Sequence, residues 1–536
     1  MATDFGTPFA RRTRPVVMGR HAGIVTGHHL ASQIAYDALR AGGNAVDAAI
    51  AAAAALAVLK PDACGLGSDL FLLYGEHGSG ETYALNASGP APKRALPQSM
   101  AEGRIPIRGI GASTVPGAVE GWQRAVNRFG RRTLAQALTP AIALARNGMP
   151  VSQLFAATLT RNEAALRQVP STAEVFYPQV DTFKAGDVLV QNDAAETLEA
   201  IAESGAAAFY RGDFAHSLDA YSRQHGGFLR ALDLESYESE WLRPLRVAYS
   251  GMELVASPPV SVGIVVLEAL KLLDSTVCGQ YDDVGADFIH VQAESMKLAI
   301  SDQLEYLGDP HYARADITSR MMDDVYISAR AQGIDRSRVH AVRAGDLFAN
   351  VATDTSYVGV IDGEGNAVSL LQSVFHVFGS GEVIPRTGCL MNNRMAAFSL
   401  DPESPNVLAP GKRPMHTLNP LLVLLHGEPY MCLGTPGGPS QVHTNAQLLY
   451  RVLNKRLDLQ SAIDAPRWFC SLQNALHIES SVDADVLTNL AMRGHEIFPM
   501  PPLSAAMGGA GIVRINPLGV REAAADQRRE SYALAF

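Results

Sequence analysis

Asp354-Thr355-Ser356-Tyr357-Val358-Gly359-Val360-Ile361-Asp362, continuing as Gly363-Glu364-Gly365-Asn366-Ala367-Val368-Ser369, is the stretch on which the fold depends. Val, Ile, Tyr and Thr favour half-buried pleated surfaces, and the Asp-Gly-Glu-Gly-Asn run supplies turn chemistry before Ala-Val-Ser-Leu-Leu reopens the apolar pattern. A β-hairpin is expected. A Thr at the head of such a strand is ordinarily only a strand residue, so any chemical role for Thr355 has to come from the rest of the chain.

The 536 residues are 47% hydrophobic and 18% charged with a net charge of −10, enough for a large core. The acidic balance argues against nucleic acid as a partner: the basic pieces are as short as Arg11-Arg12-Thr13-Arg14 and Arg528-Arg529, the second within a mixed-charge stretch. Five widely spaced cysteines, Cys64, Cys278, Cys389, Cys432 and Cys470, form neither a disulfide framework nor a C-x-x-C metal site and are expected to be buried thiols. Met1 to Arg14 lacks the apolar core of a secretory signal, so a cytoplasmic location is expected. Ala45 to Leu59 is too short for a membrane span, carries Asp47 and stops at Lys60-Pro61; it reads as a buried helix.

Along the chain, Gly23 to Gly27 reads as a strand, and Leu30, Ile34, Ala35 and Leu39 have helical spacing up to Gly42-Gly43. Asn44 caps the Ala-rich helix, which other elements can approach closely on all sides. Leu70 to Tyr74 and Thr82 to Asn86 form a second hairpin after the Gly65-Leu66-Gly67-Ser68-Asp69 turn. Helical patterns follow over Val119–Phe129, Leu134–Asn147, Ala194–Glu203, Ile264–Leu273 and Ala286–Leu307, and are assigned to outer layers. Arg336 to Asp354, polar and without period, reads as an exposed or mobile connector. Short strands at Leu421–Leu425, Tyr430–Leu433 and Gly511–Ile515 flank helices at Ser440–Leu453 and near Leu459–Ile463. The order suggests an α+β, four-layer αββα sandwich.

Several segments together resemble the γ-glutamyltransferase family of N-terminal nucleophile hydrolases. They are Leu30-Ala31-Ser32, Ala41-Gly42-Gly43-Asn44-Ala45-Val46-Asp47-Ala48-Ala49, Gly65-Leu66-Gly67, Thr355 to Ser369 and Phe378-Gly379-Ser380-Gly381. Pro405-Asn406, Gly411-Lys412-Arg413-Pro414, Thr435-Pro436-Gly437-Gly438 and Ala465-Pro466-Arg467 complete the set, spread over nearly the whole chain. The resemblance implies the αββα fold and a precursor that cleaves itself between Asp354 and Thr355, giving segments 1–354 and 355–536 that together form one domain. Thr355 then becomes both N-terminus and nucleophile: a Thr hydroxyl needs a base, and a freed α-amine with a pKa of about 7.7–8.0 supplies one at neutral pH. The resemblance places the backbone N–H groups of Gly437 and Gly438 at the oxyanion; without it, the segment is a Pro-Gly-Gly turn. Ser373 matches a family Thr that touches the nucleophile's amine. It either orients Thr355 or is an exposed strand Ser.

The pocket departs from the family. The Arg that grips a γ-glutamyl α-carboxylate is matched by Ser88, the acidic residue that pairs with the ammonium by Ala397, a neighbouring Asn by Phe375, and a Ser-Ser pair by His416-Thr417. An unpaired buried ammonium costs about 3–5 kcal/mol, or about 10²–10³ in affinity, which argues against glutathione. Arg394 either offers a bidentate site to an acyl group bearing a carboxylate but no amine, or forms a structural salt bridge. This pattern is similar to the branch that includes oxamate amidohydrolase and some cephalosporin acylases, and so to an amidohydrolase of an oxamate-like or dicarboxylic acyl amide. The alternatives are a true γ-glutamyltransferase or glutathione hydrolase with a rebuilt pocket, and a catalytically silent homologue. His28-His29 and His416 lack partners at ligand spacing, so no metal or other cofactor is expected; the expected partners are a small amide and the chain's own two segments, with a homo-oligomer left open.

Overall fold

The computed structural model describes residues 13–178, 181–276, 281–313, 316–340, 342 and 353–536. The hairpin forms as expected: Thr353–Ile361 pairs antiparallel with Ala367–His376. Its two faces are both apolar and both buried. Val358, Val360, Val368 and Leu370 belong to one core with the Ala-rich helix, whereas Tyr357, Ile361, Ala367 and Leu371 belong to a second core with strands of another sheet.

A strand pair buried on both faces needs cover on both sides. Its sheet runs, in order, Tyr532–Ala535, Gly23–Thr26, Thr353–Ile361, Ala367–His376, Asp69–Gly75, Thr82–Ala87 and Glu240–Leu242, all antiparallel. The facing sheet runs Val17–Gly19, Arg521–Ala525, Gly511–Ile515, Glu428–Gly434, Leu421–Leu425, Met252–Ala256 and Leu245–Tyr249, again antiparallel. Each sheet draws strands from both sides of Asp354, so neither segment holds a complete sheet. Tyr357 fills the space between the sheets, and it fits because Gly434 and Gly511 lie against its ring: a Cβ on Gly434 would sit 2.4 Å from it. Helices Gly263–Thr276, Ala286–Tyr306 and Ser440–Leu449 contribute to the core on the far side of the second sheet. The αββα sandwich read from the sequence is thus the observed architecture.

The Ala-rich helix Ala45–Leu59 is buried along its whole length. Small side chains let His29–Arg40 and Leu134–Asn147 close on it, which is what its composition implies. Its N-terminus explains the Asn-Ala-Val-Asp motif. Asn44 Oδ1 accepts from the N–H groups of Val46 and Asp47, and Asp47 returns the bond to Asn44 N at 2.9 Å. Asp362, in the hairpin turn, accepts from Ala45 N at 3.0 Å and so ties the turn to the positive end of this helix.

Of the two connector readings, the exposed one holds at its start, where Arg336, Ser337, Arg338 and His340 are exposed. Arg336 donates to Thr276 O, Val339 N to Arg493 O and His340 N to Glu294, so residues 336–340 are fastened to the helical layer. At its end, Thr353 and Asp354 already belong to the strand, while residues 341 and 343–352 lie outside the described residues. Cys64, Cys389, Cys432 and Cys470 are buried thiols outside any disulfide, as expected; Cys278 also lies outside the described residues. Among the described residues no helix is long and apolar enough to cross a membrane.

Asp47 also accepts from the N–H groups of Arg131 and Arg132 at 3.0–3.1 Å. Asp47→Ala strands these amides together with that of Asn44, and an orphaned amide costs about 1–3 kcal/mol. A loss of about 2–4 kcal/mol is expected in chemical denaturation, with a smaller loss for Asp47→Asn, which keeps one acceptor.

Candidate active site

At one end of the hairpin the face between the sheets turns from apolar to polar. The ladder pairs Asp354 with Phe375 and Ser356 with Gln372, so Thr355 alone faces two residues, Ser373 and Val374, in a bulge. Thr355 is buried, and its hydroxyl donates to Ser373 Oγ at 3.2 Å. Phe375 N–H donates to the same oxygen at 2.9 Å. Ser373 is 1% exposed, which excludes the exposed-strand reading and leaves it beside Thr355.

Phe375 bends the chain here with φ +82°, rarely adopted by a bulky residue. Its ring stacks on His376 and lies 4.1 Å under the Arg394 guanidinium. Arg394 opens the short turn Arg394–Ala397, positioned by Asn392, whose Oδ1 accepts from Arg394 N at 3.0 Å. The guanidinium is 0% exposed; Nε donates to Asp69 Oδ2 at 3.3 Å, while neither terminal nitrogen has a hydrogen-bond partner among the described residues. The salt-bridge reading of Arg394 therefore holds at one edge, and the other edge has no hydrogen-bond partner among the described residues.

Asp69 is the residue that the sequence reading missed. It starts the strand Asp69–Gly75, directly opposite Ser373 in the ladder. Its Oδ1 accepts from Gly89 N at 2.8 Å. Burial pushes its carboxyl up to about 6, opposed chiefly by Arg394, and burial likewise lowers Arg394 to about 10 against the pull of Asp69. A charge at the head of Leu70-Phe71-Leu72-Leu73 was the available signal.

His416 completes the cluster: Nε2 is 3.8 Å from Asp69 Oδ2, the ring packs on Phe71, and neither ring nitrogen has a hydrogen-bond partner among the described residues. Burial, then the charges of Arg394 and Arg413, hold it well below the usual His range, so it is neutral. Thr417 contributes its backbone: with the Gln441 amide oriented to satisfy both its ends, Gln441 donates to Thr417 O and Thr435 O at 2.9 and 3.1 Å. The same Gln441 accepts from Gly438 N at 3.2 Å, linking the His416-Thr417 segment to the Gly437-Gly438 turn. Both glycines have positive φ, 135° and 56°, and the turn opens into the N-terminus of Ser440–Leu449. Gly437 is also tight: a Cβ would meet Gly508 Cα at 3.0 Å. Ser88 does not contribute a free polar group; its N–H and hydroxyl both donate to Asn86 Oδ1, and its carbonyl accepts from Arg413 Nε.

Away from this site, His28 caps a helix through Nδ1 and stacks on His29. The described residues also gather His290, Glu294 and His495. There the two rings contact each other at 2.8 Å, and Lys297 Nζ sits 2.7 Å from Glu294, so the carboxylate's charge is met within the protein.

The sequence model described as gamma-glutamyltranspeptidase matches residues 31–536. Over 528 residues the chain is 33% identical to the glutathione hydrolase-like YwrD proenzyme of Bacillus subtilis (strain 168), covering 97% of this chain and 99% of that one. It is 34% identical over 528 residues to the oxamate amidohydrolase proenzyme of Klebsiella pneumoniae subsp. pneumoniae, with 96% and 98% covered. The crystal structure of cephalosporin acylase from Bacillus halodurans superposes with a TM-score of 0.92 at 34% identity, over 100% of this chain and 99% of that one. Fold and matches together define an amide-bond hydrolase of the N-terminal nucleophile class. Within that class, the chain belongs to the γ-glutamyltranspeptidase family.

Burial, reinforced by Arg394 and Arg108, also holds His376 down, to about 3. Histidine NMR is therefore expected to find His376 and His416 neutral from about pH 5 to pH 8, where an unperturbed ring at about 6.5 passes through its midpoint.

Proposed function

We propose that this chain is an autoprocessing amide hydrolase with Thr355 as nucleophile, acting on a small amide whose acyl group carries a carboxylate and no amine. Maturation starts with attack of Thr355 Oγ on the Asp354 carbonyl carbon. The C–N bond breaks, an ester forms, the amine is released, and water then hydrolyses the ester, leaving segments 1–354 and 355–536. In the mature enzyme the α-amine of Thr355 takes the proton from Oγ as it attacks the substrate amide. The leaving amine departs with a proton, and water releases the acid from the acyl-enzyme. Gly437 and Gly438 N–H groups stabilise the oxyanion; for Gly438 this requires an exchange of the Gln441 acceptor for the substrate oxygen.

The observation that carries the substrate class is the open end of Arg394: two buried N–H-bearing nitrogens without a hydrogen-bond partner among the described residues, beside the ring of Phe375. Such donors call for an anion, and a carboxylate meets them with two parallel bonds. Asp69, the carboxylate of this cluster, is already engaged through both oxygens, which leaves poor provision for an ammonium. The description of a relative as an oxamate amidohydrolase agrees with an amine-free, carboxylate-bearing acyl group. The γ-glutamyl alternative requires Asp69 to exchange Arg394 for the substrate's ammonium.

Wild type is expected to run as two bands on a denaturing gel, and Thr355→Ala as one inactive band; an intact wild-type chain that hydrolyses amides overturns the mechanism. In a panel of acyl amides, Arg394→Ala is expected to raise KM about 10²-fold or more for carboxylate-bearing substrates and to leave carboxylate-free amides little changed. Preference for γ-glutamyl amides over their deamino analogues would select the alternative.

A further inference from the structure

Among the described residues, Arg394, His416 and Asp69 bring together four buried nitrogens without hydrogen-bond partners and one carboxylate already in use. A guanidinium has two edges on which a carboxylate can dock. Asp69 takes Nε, so the terminal pair alone remains for a ligand, and Phe375 closes one face. Asp69 is itself fixed by Gly89 N–H and by its place in the ladder opposite Ser373. The position of the acyl carboxylate relative to Thr355 is thus set through Asp69.

The charge balance adds a second consequence. Asp69 and Arg394 form a neutral pair, fully removed from water. A docked carboxylate adds a negative charge close to Asp69; among the described residues no side-chain cation beyond Arg394 pairs with Asp69, and the remaining cation nearby is the α-ammonium that processing would create at Thr355, whose hydroxyl bonds Ser373, the ladder partner of Asp69. The groups that face Asp69 from the surrounding elements are Arg394, neutral His416 and the Gly89 amide, with Arg413 and Tyr237 acting at longer range. Arg413 is already paired with Glu240. Two carboxylates sharing one buried guanidinium cannot both ionise cheaply, and one of them takes a proton.

We propose that Asp69 is the positioning residue of the substrate receptor: it aims the open end of Arg394 at the acyl carboxylate and takes up one proton from solvent as that carboxylate docks. This rests on the receptor reading of Arg394 given above. The receptor then prefers a singly charged head group, and its affinity falls as pH rises. With Asp69 held near 6 in the empty site, the loss approaches tenfold per pH unit above that value, until the raised value in the complex is passed.

The test is calorimetric binding of butyrate and glutarate to the processed enzyme, in buffers of different ionisation enthalpy, from pH 6.5 to 8.5. Uptake of about 0.5–0.8 proton at pH 6.5, where the Thr355 amine is protonated in both states, and weakening towards pH 8.5 are expected. Asp69→Asn is expected to abolish the uptake and flatten the profile; the Thr355 amine titrates alike in both proteins. His416→Gln is expected to keep both, and loss of uptake in that variant alone would overturn the proposal by moving the proton to His416. If Asp69→Asn does not fold, the wild-type proton count at pH 6.5 decides. Binding that depends on Arg394 but involves no proton overturns the role of Asp69 and leaves the receptor standing. No binding of either acid, with an amide panel indifferent to Arg394→Ala, overturns both.

Discussion

The structure depends on a hairpin that is apolar on both faces. Water has to be excluded from each side of Thr353–Ile361 and Ala367–His376, so one face is covered by a helix and the other by a second sheet. Once both faces are covered, a position on the inner face has no solvent. The polar residues at the strand ends, Thr355, Ser373 and Asp69, therefore have to satisfy one another or leave open valences. Thr355 donates to Ser373 and Asp69 pairs with Arg394, and the nitrogens without a hydrogen-bond partner among the described residues gather at Arg394 and His416. The site is what remains where the apolar filling between the sheets stops.

Much of the frame was legible because its signals are local. The β-branched and aromatic run Tyr357-Val358-Gly359-Val360-Ile361, the Asn44 cap and the Ala content of the central helix each act within a few residues, and the structure follows them closely. The errors arise where distant parts of the chain decide. Asp69 looked like the end of a Gly-rich turn; its meaning comes from a ladder position opposite Ser373, three hundred residues on. Residues 336–340 are exposed as read, but the individual hydrogen bonds that hold them to Thr276, Glu294 and Arg493 leave no pattern in their own sequence. Ser88, placed by offset from a motif, is engaged with its neighbour Asn86.

Phe375 joins the Thr355–Ser373 pair to Arg394. Its N–H holds the Ser373 hydroxyl that accepts from Thr355, and its ring supports Arg394. One residue thus couples the position of Thr355 to that of Arg394, and it does so in a left-handed conformation that costs about 1–3 kcal/mol and persists only because its surroundings enforce it. The bulge at Thr355 and the turn at Phe375 are two parts of one distortion: the ladder gives up regular pairing between Asp354 and Ser356, and the chain that gains the extra residue turns its aromatic ring under the guanidinium. An undistorted strand would point Ser373 and Phe375 along the same face with the usual two-residue rise of about 6.6–6.8 Å between them, too far for the amide of one to reach the hydroxyl of the other. The irregularity is what brings Thr355 and the open edge of Arg394 within one side chain of each other, the spacing that the proposed hydrolysis of a small acyl amide requires.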